Sequence, residues 1–129
     1  MADGIQSYRD LIVWQKAIAL AAACYVKTRS LPRAEVYGLT AQIRRAAASV
    51  PANIAEGNGR DNTGAYISFL RISQGSLKEL ETHIILAHTV ELMDKKIADE
   101  ILVSCEQVGK LLRALIRALQ VKQGRGDAA

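Results

Sequence analysis

The stretch GLTAQIRRAAASVPANIAEG, Gly38 to Gly57, decides the fold. Laid on a helix at about 100° per residue, it divides into three sides. Leu39, Ile43, Ala46, Val50 and Ile54 form an apolar face, and Gln42, Arg45, Ser49, Asn53 and Glu56 form a narrow polar stripe beside it. The third side holds Ala41, Ala48, Pro51, Ala52 and Ala55, where a surface helix ordinarily carries Lys and Glu. A helix with so little charge on its outer side touches something there, so this alanine side is the candidate contact between copies of the chain. Pro51 removes an amide donor and crowds the carbonyl of Ala47, which predicts a kink rather than a stop, because the apolar face continues to Ile54. Gly57-Asn58-Gly59 is expected to end the helix.

Upstream, Ser30-Leu31-Pro32-Arg33 breaks the helical pattern, and the deciding helix starts somewhere between Arg33 and Leu39. A first helix is expected from Tyr8 to Arg29. Its inward stripe is Leu11, Trp14, Ile18, Ala21, Ala22 and Tyr25, with Ala17 and Cys24 at the margin and Lys16 and Lys27 pointing away. Downstream, Asp61, Asn62 or Thr63 caps a third helix with Tyr66, Phe69, Ser73, Ser76, Leu80, His83, Ile84 and Ala87 inward, ending near Val90. Gly75-Ser76 in mid-helix lowers helix propensity and suggests a neighbouring helix crossing closely. Asp94 caps a fourth helix, which runs to about Lys122 with Ile97, Ile101, Val108, Leu111, Leu112, Leu115 and Leu119 inward. Four amphipathic helices on short connections predict an all-α, antiparallel up-down-up-down four-helix bundle. One domain spans residues 8–122, between tails at 1–7 and 123–129.

Composition agrees. Of 129 residues half are hydrophobic but only 5% are aromatic, and two prolines interrupt the helix-forming residues. No segment approaches the roughly 18 apolar residues of a membrane span. The first ten residues show no signal-peptide pattern, so a cytoplasmic protein without a membrane partner is expected. In that setting Cys24 and Cys105, each inside an apolar pattern, are expected as packed, reduced thiols.

The chemistry searched for is absent from the spacing. A di-iron bundle needs Glu-x-x-His on two helices, but Leu80 stands three before His83 and Ile85 three before His88. Nor does either histidine follow an arginine at Arg-x4-His spacing; the residues five before them are Lys78 and His83. No phosphate loop, dinucleotide fingerprint or nucleophile elbow occurs. The expectation is therefore a non-enzyme with no cofactor and no metal, with His83 a hydrogen-bonded core histidine and His88 a boundary residue.

Two polar features remain. Arg45, Ser49, Asn53 and Glu56 on the second helix, with Ser76 and Glu79 on the third, are the candidate polar seam, either a network that fixes register or a recognition groove. The second feature is basic. Net charge is +4 with a pI of about 9.3. Residues 9–29 carry four bases against Asp10, whereas residues 61–91 carry Arg71 and Lys78 against four acids. On the fourth helix Lys110, Arg113 and Arg117 fall within about 60° of one another. With Arg9, Lys16, Lys27 and Arg44 they are the candidate nucleic-acid contacts, made to RNA or DNA phosphates rather than bases, since few aromatics are available for stacking. The other function class is a protein-interaction module with no nucleic-acid role, its seam or assembled pore holding a protein partner.

LIVWQKA (Leu11–Ala17), the deciding stretch and FLRISQGSLKELET (Phe69–Thr82) together resemble the bacterial four-helix-bundle proteins, some of them encoded by intervening sequences in 23S rRNA genes. The likeness covers about residues 8–120. It is most specific at Arg44-Arg45-Ala46-Ala47, Ser49, Pro51 and Asn53 to Gly57, and at Gly75-Ser76 with Glu79 to Thr82. It implies a cytoplasmic antiparallel bundle that assembles as a homopentamer, and it carries over no catalytic residue or cofactor. More distantly the chain is similar to the accessory protein of diversity-generating retroelements, a basic pentameric barrel that binds nucleic acid and a reverse transcriptase. Gly64 and Ala65 depart from the Lys-Glu pair usual at that turn of the family.

Overall fold

In the computed structural model, which describes residues 7–128 and side chains through residue 125, four helices account for nearly the whole chain. Helix α1 is Ile12–Lys27, α2 Leu39–Asn58, α3 Thr63–Thr89 and α4 Lys95–Ala128. Each packs on its neighbours in chain order, and α4 returns to α1, so the bundle closes with α2 and α3 in the most extensive contact. Among the described residues there is no strand, and no helix is long and apolar enough to cross a membrane. Of the tail expected at residues 1–7, all but Ser7 lie outside the described residues.

The boundaries follow local chemistry. Ser7 and Asp10 form a reciprocal capping box around a short 3-10 turn, Tyr8–Asp10, and Leu11 is extended. Helix α1 therefore starts at Ile12, four residues later than expected. Gly38 offers α2 no side-chain cap; Glu35 Oε1 accepts the Leu39 amide instead, at 3.1 Å. Helix α2 runs through Pro51 as one helix and includes Gly57. Asn62 caps α3 through the Ala65 amide at 2.7 Å, and Asp94 Oδ1 accepts the Ile97 amide at 2.9 Å to start α4. Helix α3 closes with the Leu92 amide on the Ala87 carbonyl and the Glu91 amide on that of His88. This is a Schellman motif with glutamate, at φ 65°, in the left-handed position that favours glycine. Helix α4 continues past Lys122 to Ala128, so the expected tail is helical up to that residue.

The core comprises Leu20 and Cys24 of α1, Ile43, Val50 and Ile54 of α2, Leu70, Leu80 and Ile84 of α3, and Cys105, Val108 and Leu112 of α4. The apolar face of α2 is buried as read from the sequence. That of α1 is rotated: Val13, Ala17, Leu20, Ala21 and Cys24 point inward, while Ile18, Ala22 and Tyr25 are exposed and Leu11 and Trp14 only partly buried. Apolar residues occupy nearly all of α1, so periodicity could not choose between its faces. On α3, Ile67, Leu70 and Leu77 are buried, and Tyr66, Phe69, Ser76 and His83 sit at the margin. Gly75 is exposed with no atom within 4 Å of where a Cβ would lie, so the expected close crossing is not there. It is at Gly57, where a Cβ would stand 2.8 Å from Phe69 Cβ and 3.1 Å from the Tyr66 carbonyl.

Candidate functional site

Where α2 meets α3, part of the polar seam assembles. Ser49 and Ser76 share a hydrogen bond at 2.8 Å between hydroxyls, and Asn53 Nδ2 donates to the Ser49 carbonyl at 2.9 Å and to its hydroxyl at 3.0 Å. Deeper, Ser73 Oγ donates to the Val50 carbonyl at 2.8 Å, one residue before the proline that cannot continue the backbone ladder. These hydroxyls fix how far along α2 the third helix sits. The charged members stay outside. Arg45 bonds Gln42 on its own helix, and Glu56 pairs with Arg60 at 2.9 Å across solvent. Glu79 is exposed, with no hydrogen bond to the seam among the described residues. Arg60 also lies over the Phe69 ring, 4.7 Å from its centroid. The seam thus contracts to Ser49, Asn53 and Ser76, neutral groups bonded to one another.

The histidines differ from expectation. His83 Nδ1 is buried with no hydrogen-bond partner, whereas exposed His88 shares a 3.1 Å hydrogen bond between Nδ1 and the Met93 carbonyl. Among the described residues no group of three His, Cys, Asp or Glu side chains converges as metal ligands. Both cysteines are free and buried, and burial pushes each thiol up to about 12. For Cys105, negative charge at Cys24 and Glu81 adds to that effect and Lys78 opposes it. Protonated thiols in a core are poor nucleophiles.

The basic candidates separate. Arg44 is a clamp: its Nε donates to Thr28 Oγ1 at 3.0 Å, Nη2 to the Tyr25 carbonyl at 3.2 Å, and its guanidinium lies over the Tyr25 ring. Thr28, buried, donates its own hydroxyl hydrogen bond to the Cys24 carbonyl at 2.7 Å. Arg44 therefore closes the last turn of α1 against α2 and is withdrawn from the open basic surface. Arg9, Lys16, Lys110, Arg113 and Arg117 are exposed and Lys27 is half-buried. Lys110 lies 3.6 Å from Glu106; Arg113 and Arg117 have no ion pair among the described residues. Arg113 rims a groove of about 600 Å³ between α3 and α4, floored by Leu77, Leu102, Cys105 and Gly109.

The alanine side of α2 divides as well. Pro51 is buried inside the protomer, Ala41 and Ala55 are half-buried, and Ala48 and Ala52 are exposed. Ala48, Pro51, Ala52 and Ala55 floor a shallow groove walled by Tyr8, Trp14 and Ile18, with the Tyr8 ring edge-on to Trp14 at 5.1 Å. Sequence reasoning missed this wall because it placed Trp14 and Ile18 in the core. Elsewhere on the outer side of α1, Ile12 is 62% and Val26 50% exposed.

Residues 9–114 match the family model described as 23S rRNA-intervening sequence protein. The chain belongs to this family. The fold also recurs in a crystal structure from Bacteroides thetaiotaomicron, a protein with unknown function from the S23 ribosomal protein family. The two share 22% identity over 81% of this chain and 98% of the other, with a TM-score of 0.74. No curated protein matches the chain. In this member of the intervening-sequence protein family, the matched region holds all of α1 to α3 and most of α4, and so both the seam and the groove.

Proposed function

We propose that this intervening-sequence protein is a homo-oligomeric helical scaffold without chemistry of its own, whose assembled surface holds RNA or DNA backbones by charge. The observation that carries the reading is the shallow groove between α1 and α2, walled by Tyr8, Trp14 and Ile18 and floored by Ala48, Pro51, Ala52 and Ala55, with Ile12, Tyr25 and Val26 exposed elsewhere on α1. A second copy is the cover always available to a folded chain, and the family resemblance implies five. Arg113 and Arg117, exposed on α4 away from that face, would be repeated around the assembly and meet phosphates rather than bases.

Sedimentation at micromolar concentration tests the assembly, and a monomer there refutes it. For the nucleic-acid part, affinity for a duplex RNA should fall steeply with salt, by a slope near one per neutralised phosphate. Reversal of Lys110, Arg113 and Arg117 to Glu should remove most of it. Unchanged binding by that triple variant excludes the α4 stripe. If the protein isolated from cells carries a stoichiometric protein partner and no nucleic acid, the interaction-module reading replaces this one.

A further inference from the structure

One cleft of the molecule carries charge that the fold does not use. It lies at the connection from α1 to α2, where the chain makes two short 3-10 turns, Thr28–Ser30 and Arg33–Glu35. A cavity of about 280 Å³ there is lined by Arg29, Arg33, Arg44, Thr28 and Thr40; the rest of its wall is apolar and no acid lines it. Three guanidiniums around one small cavity repel one another. Glu35, the acid nearest in sequence, has Oε1 on the Leu39 amide.

The plainest account of these bases is that they cap the carbonyl end of α1. It holds for Arg44 alone. Its Nη2 and Nε reach the Tyr25 carbonyl and Thr28 Oγ1, which fixes the guanidinium and leaves Nη1 without a hydrogen bond among the described residues. Arg29 and Arg33 are exposed, and among the described residues neither side chain has a hydrogen bond or ion pair. The two threonines show the same contrast. Thr28, 2% exposed, donates to the Cys24 carbonyl and accepts from Arg44, so its hydroxyl is engaged on both sides. Thr40, 7% exposed, has a hydroxyl with no partner among the described residues. Val36, four residues before it, lies outside α2, so the usual back-bond to a carbonyl one turn earlier is not made. Among the described residues His83 Nδ1 is the only sealed side-chain polar atom without a partner, so the Thr40 hydroxyl opens onto the cleft that Thr40 lines. The amides of Thr40 and Ala41 also have no acceptor among the described residues, and the positive end of the α2 dipole adds to the field.

We propose that this cleft binds a doubly charged phosphoryl group, held by Arg29, Arg33, Arg44 Nη1 and the Thr40 hydroxyl. Guanidinium forks match phosphate oxygens in pairs. Three positive charges without an acid favour a dianion over a singly charged carboxylate or phosphodiester, and a phosphate monoester carries nearly two charges at neutral pH. Inorganic phosphate and the end of a phosphate monoester share this chemistry. The site is separate from the α4 stripe and needs no assembly, since each chain carries its own.

The test titrates the full chain by calorimetry, in low-salt chloride buffer at neutral pH, with inorganic phosphate and separately with adenosine monophosphate. Saturable binding at one site per chain is expected. Binding of phosphate alone identifies the free anion as the occupant, and tighter binding of the nucleotide identifies the ester. Dimethyl phosphate, singly charged, should bind at least about tenfold more weakly than either. The Arg29→Gln, Arg33→Gln pair and Thr40→Val alone should each weaken binding at least about tenfold, as losing a charge-assisted hydrogen bond does. Neither change removes a hydrogen bond inside the protomer, so both variants should unfold thermally no lower than the wild type; a merely structural Thr40 would lower that temperature. Arg71→Gln with Lys122→Gln removes the same charge from exposed positions elsewhere and should leave binding unchanged. The proposal is overturned if neither ligand saturates, if dimethyl phosphate binds equally well, if the Arg29, Arg33 pair binds as the wild type, or if both charge-removing pairs lose binding alike. Should Thr40→Val fail to fold by circular dichroism, the arginine pair decides. Sedimentation reads the assembly independently of all these results.

Discussion

Helices α1 and α4 each lie between two neighbours and show an outer side, yet they meet their surroundings in opposite ways. Helix α4 is amphipathic: Ile101, Cys105, Val108, Leu112 and Ile116 point inward, and its outer side carries Lys95 with Asp99 at 2.6 Å and Glu106 with Lys110 at 3.6 Å. Helix α1 buries Val13, Ala17, Leu20 and Cys24 and then presents Ile12, Ile18, Ala22, Tyr25 and Val26 outward. A helix apolar on all sides is ordinarily buried on all sides. In this bundle the other helices do not do that for α1, whereas the exposed apolar residues of α4, Val103 and Val121, stand among charged ones. The proposed scaffold rests on this difference, with cover for α1 and charge presentation for α4.

The comparison breaks most visibly under one substitution made on both helices. Ile18→Glu, in the groove wall, should reduce the assembly to folded monomers in sedimentation, while Val103→Glu, on the still more exposed outer side of α4, should leave its mass unchanged. Inside the bundle the two helices should behave alike. Leu20→Ala and Leu112→Ala should each cost about 2–5 kcal/mol in denaturant unfolding, because both side chains are fully enclosed. Arginine sharpens the contrast next. Arg44→Ala removes the donor to the buried Thr28 hydroxyl oxygen and one of the two side-chain donors to the Tyr25 carbonyl, and should cost about 1–3 kcal/mol. Arg44→Lys should fail to restore it, since one ammonium cannot reach both acceptors in the same fork. Arg113→Ala should change stability by less than about 0.5 kcal/mol.

Each helix also holds one buried thiol, and both are pushed up to about 12 by burial. Below about pH 8.5 the thiols are neutral in the folded and unfolded states alike. Above it the unfolded chain releases protons that the folded chain keeps, so stability falls as pH rises toward 12, by up to about 1.4 kcal/mol per thiol per pH unit. The Cys24→Ala, Cys105→Ala double variant should show a flatter profile over that range. The turn that launches α4 gives a last test. Glu91→Gly relieves a left-handed residue and should raise stability by about 1 kcal/mol in thermal or denaturant unfolding.

Most of the fold was legible because α2, α4 and the caps obey simple patterns. Ile43, Val50 and Ile54 repeat at helical spacing beside polar residues that can only face elsewhere, and Asn62 and Asp94 precede their helices as caps should. The inward side of α1 was not legible, since sixteen residues with two charges leave no polar side to point outward. The same deficit that misplaced Ile18 leaves Trp14 half-buried, packed on the core and lining the groove at once. On the seam, spacing identified the Ser49, Asn53 and Ser76 cluster but could not exclude Glu56 and Glu79. Arg60 beyond the helix and open solvent beside α3 satisfy those charges without bringing them inward. Arg44 was misassigned for a similar reason: its partners, Tyr25 and Thr28, lie across a break in the chain that periodicity does not bridge.

The contacts between α2 and α3 also set an order of events. Gly57 touches Tyr66 and Phe69 just across the turn, Val50 meets Ser73 at a separation of 23 residues, and Ser49 meets Ser76 at 27. Loop-closure entropy rises with the length of chain enclosed, so each contact made brings the next within cheaper reach. The pair is a zipper whose first tooth is a glycine, closing from the Gly59–Asn62 turn outward before distant α4 returns to α1. On the same reckoning α1 docks on α2 through Arg44, 16 residues from Thr28, and the return of α4 to α1 closes the bundle last.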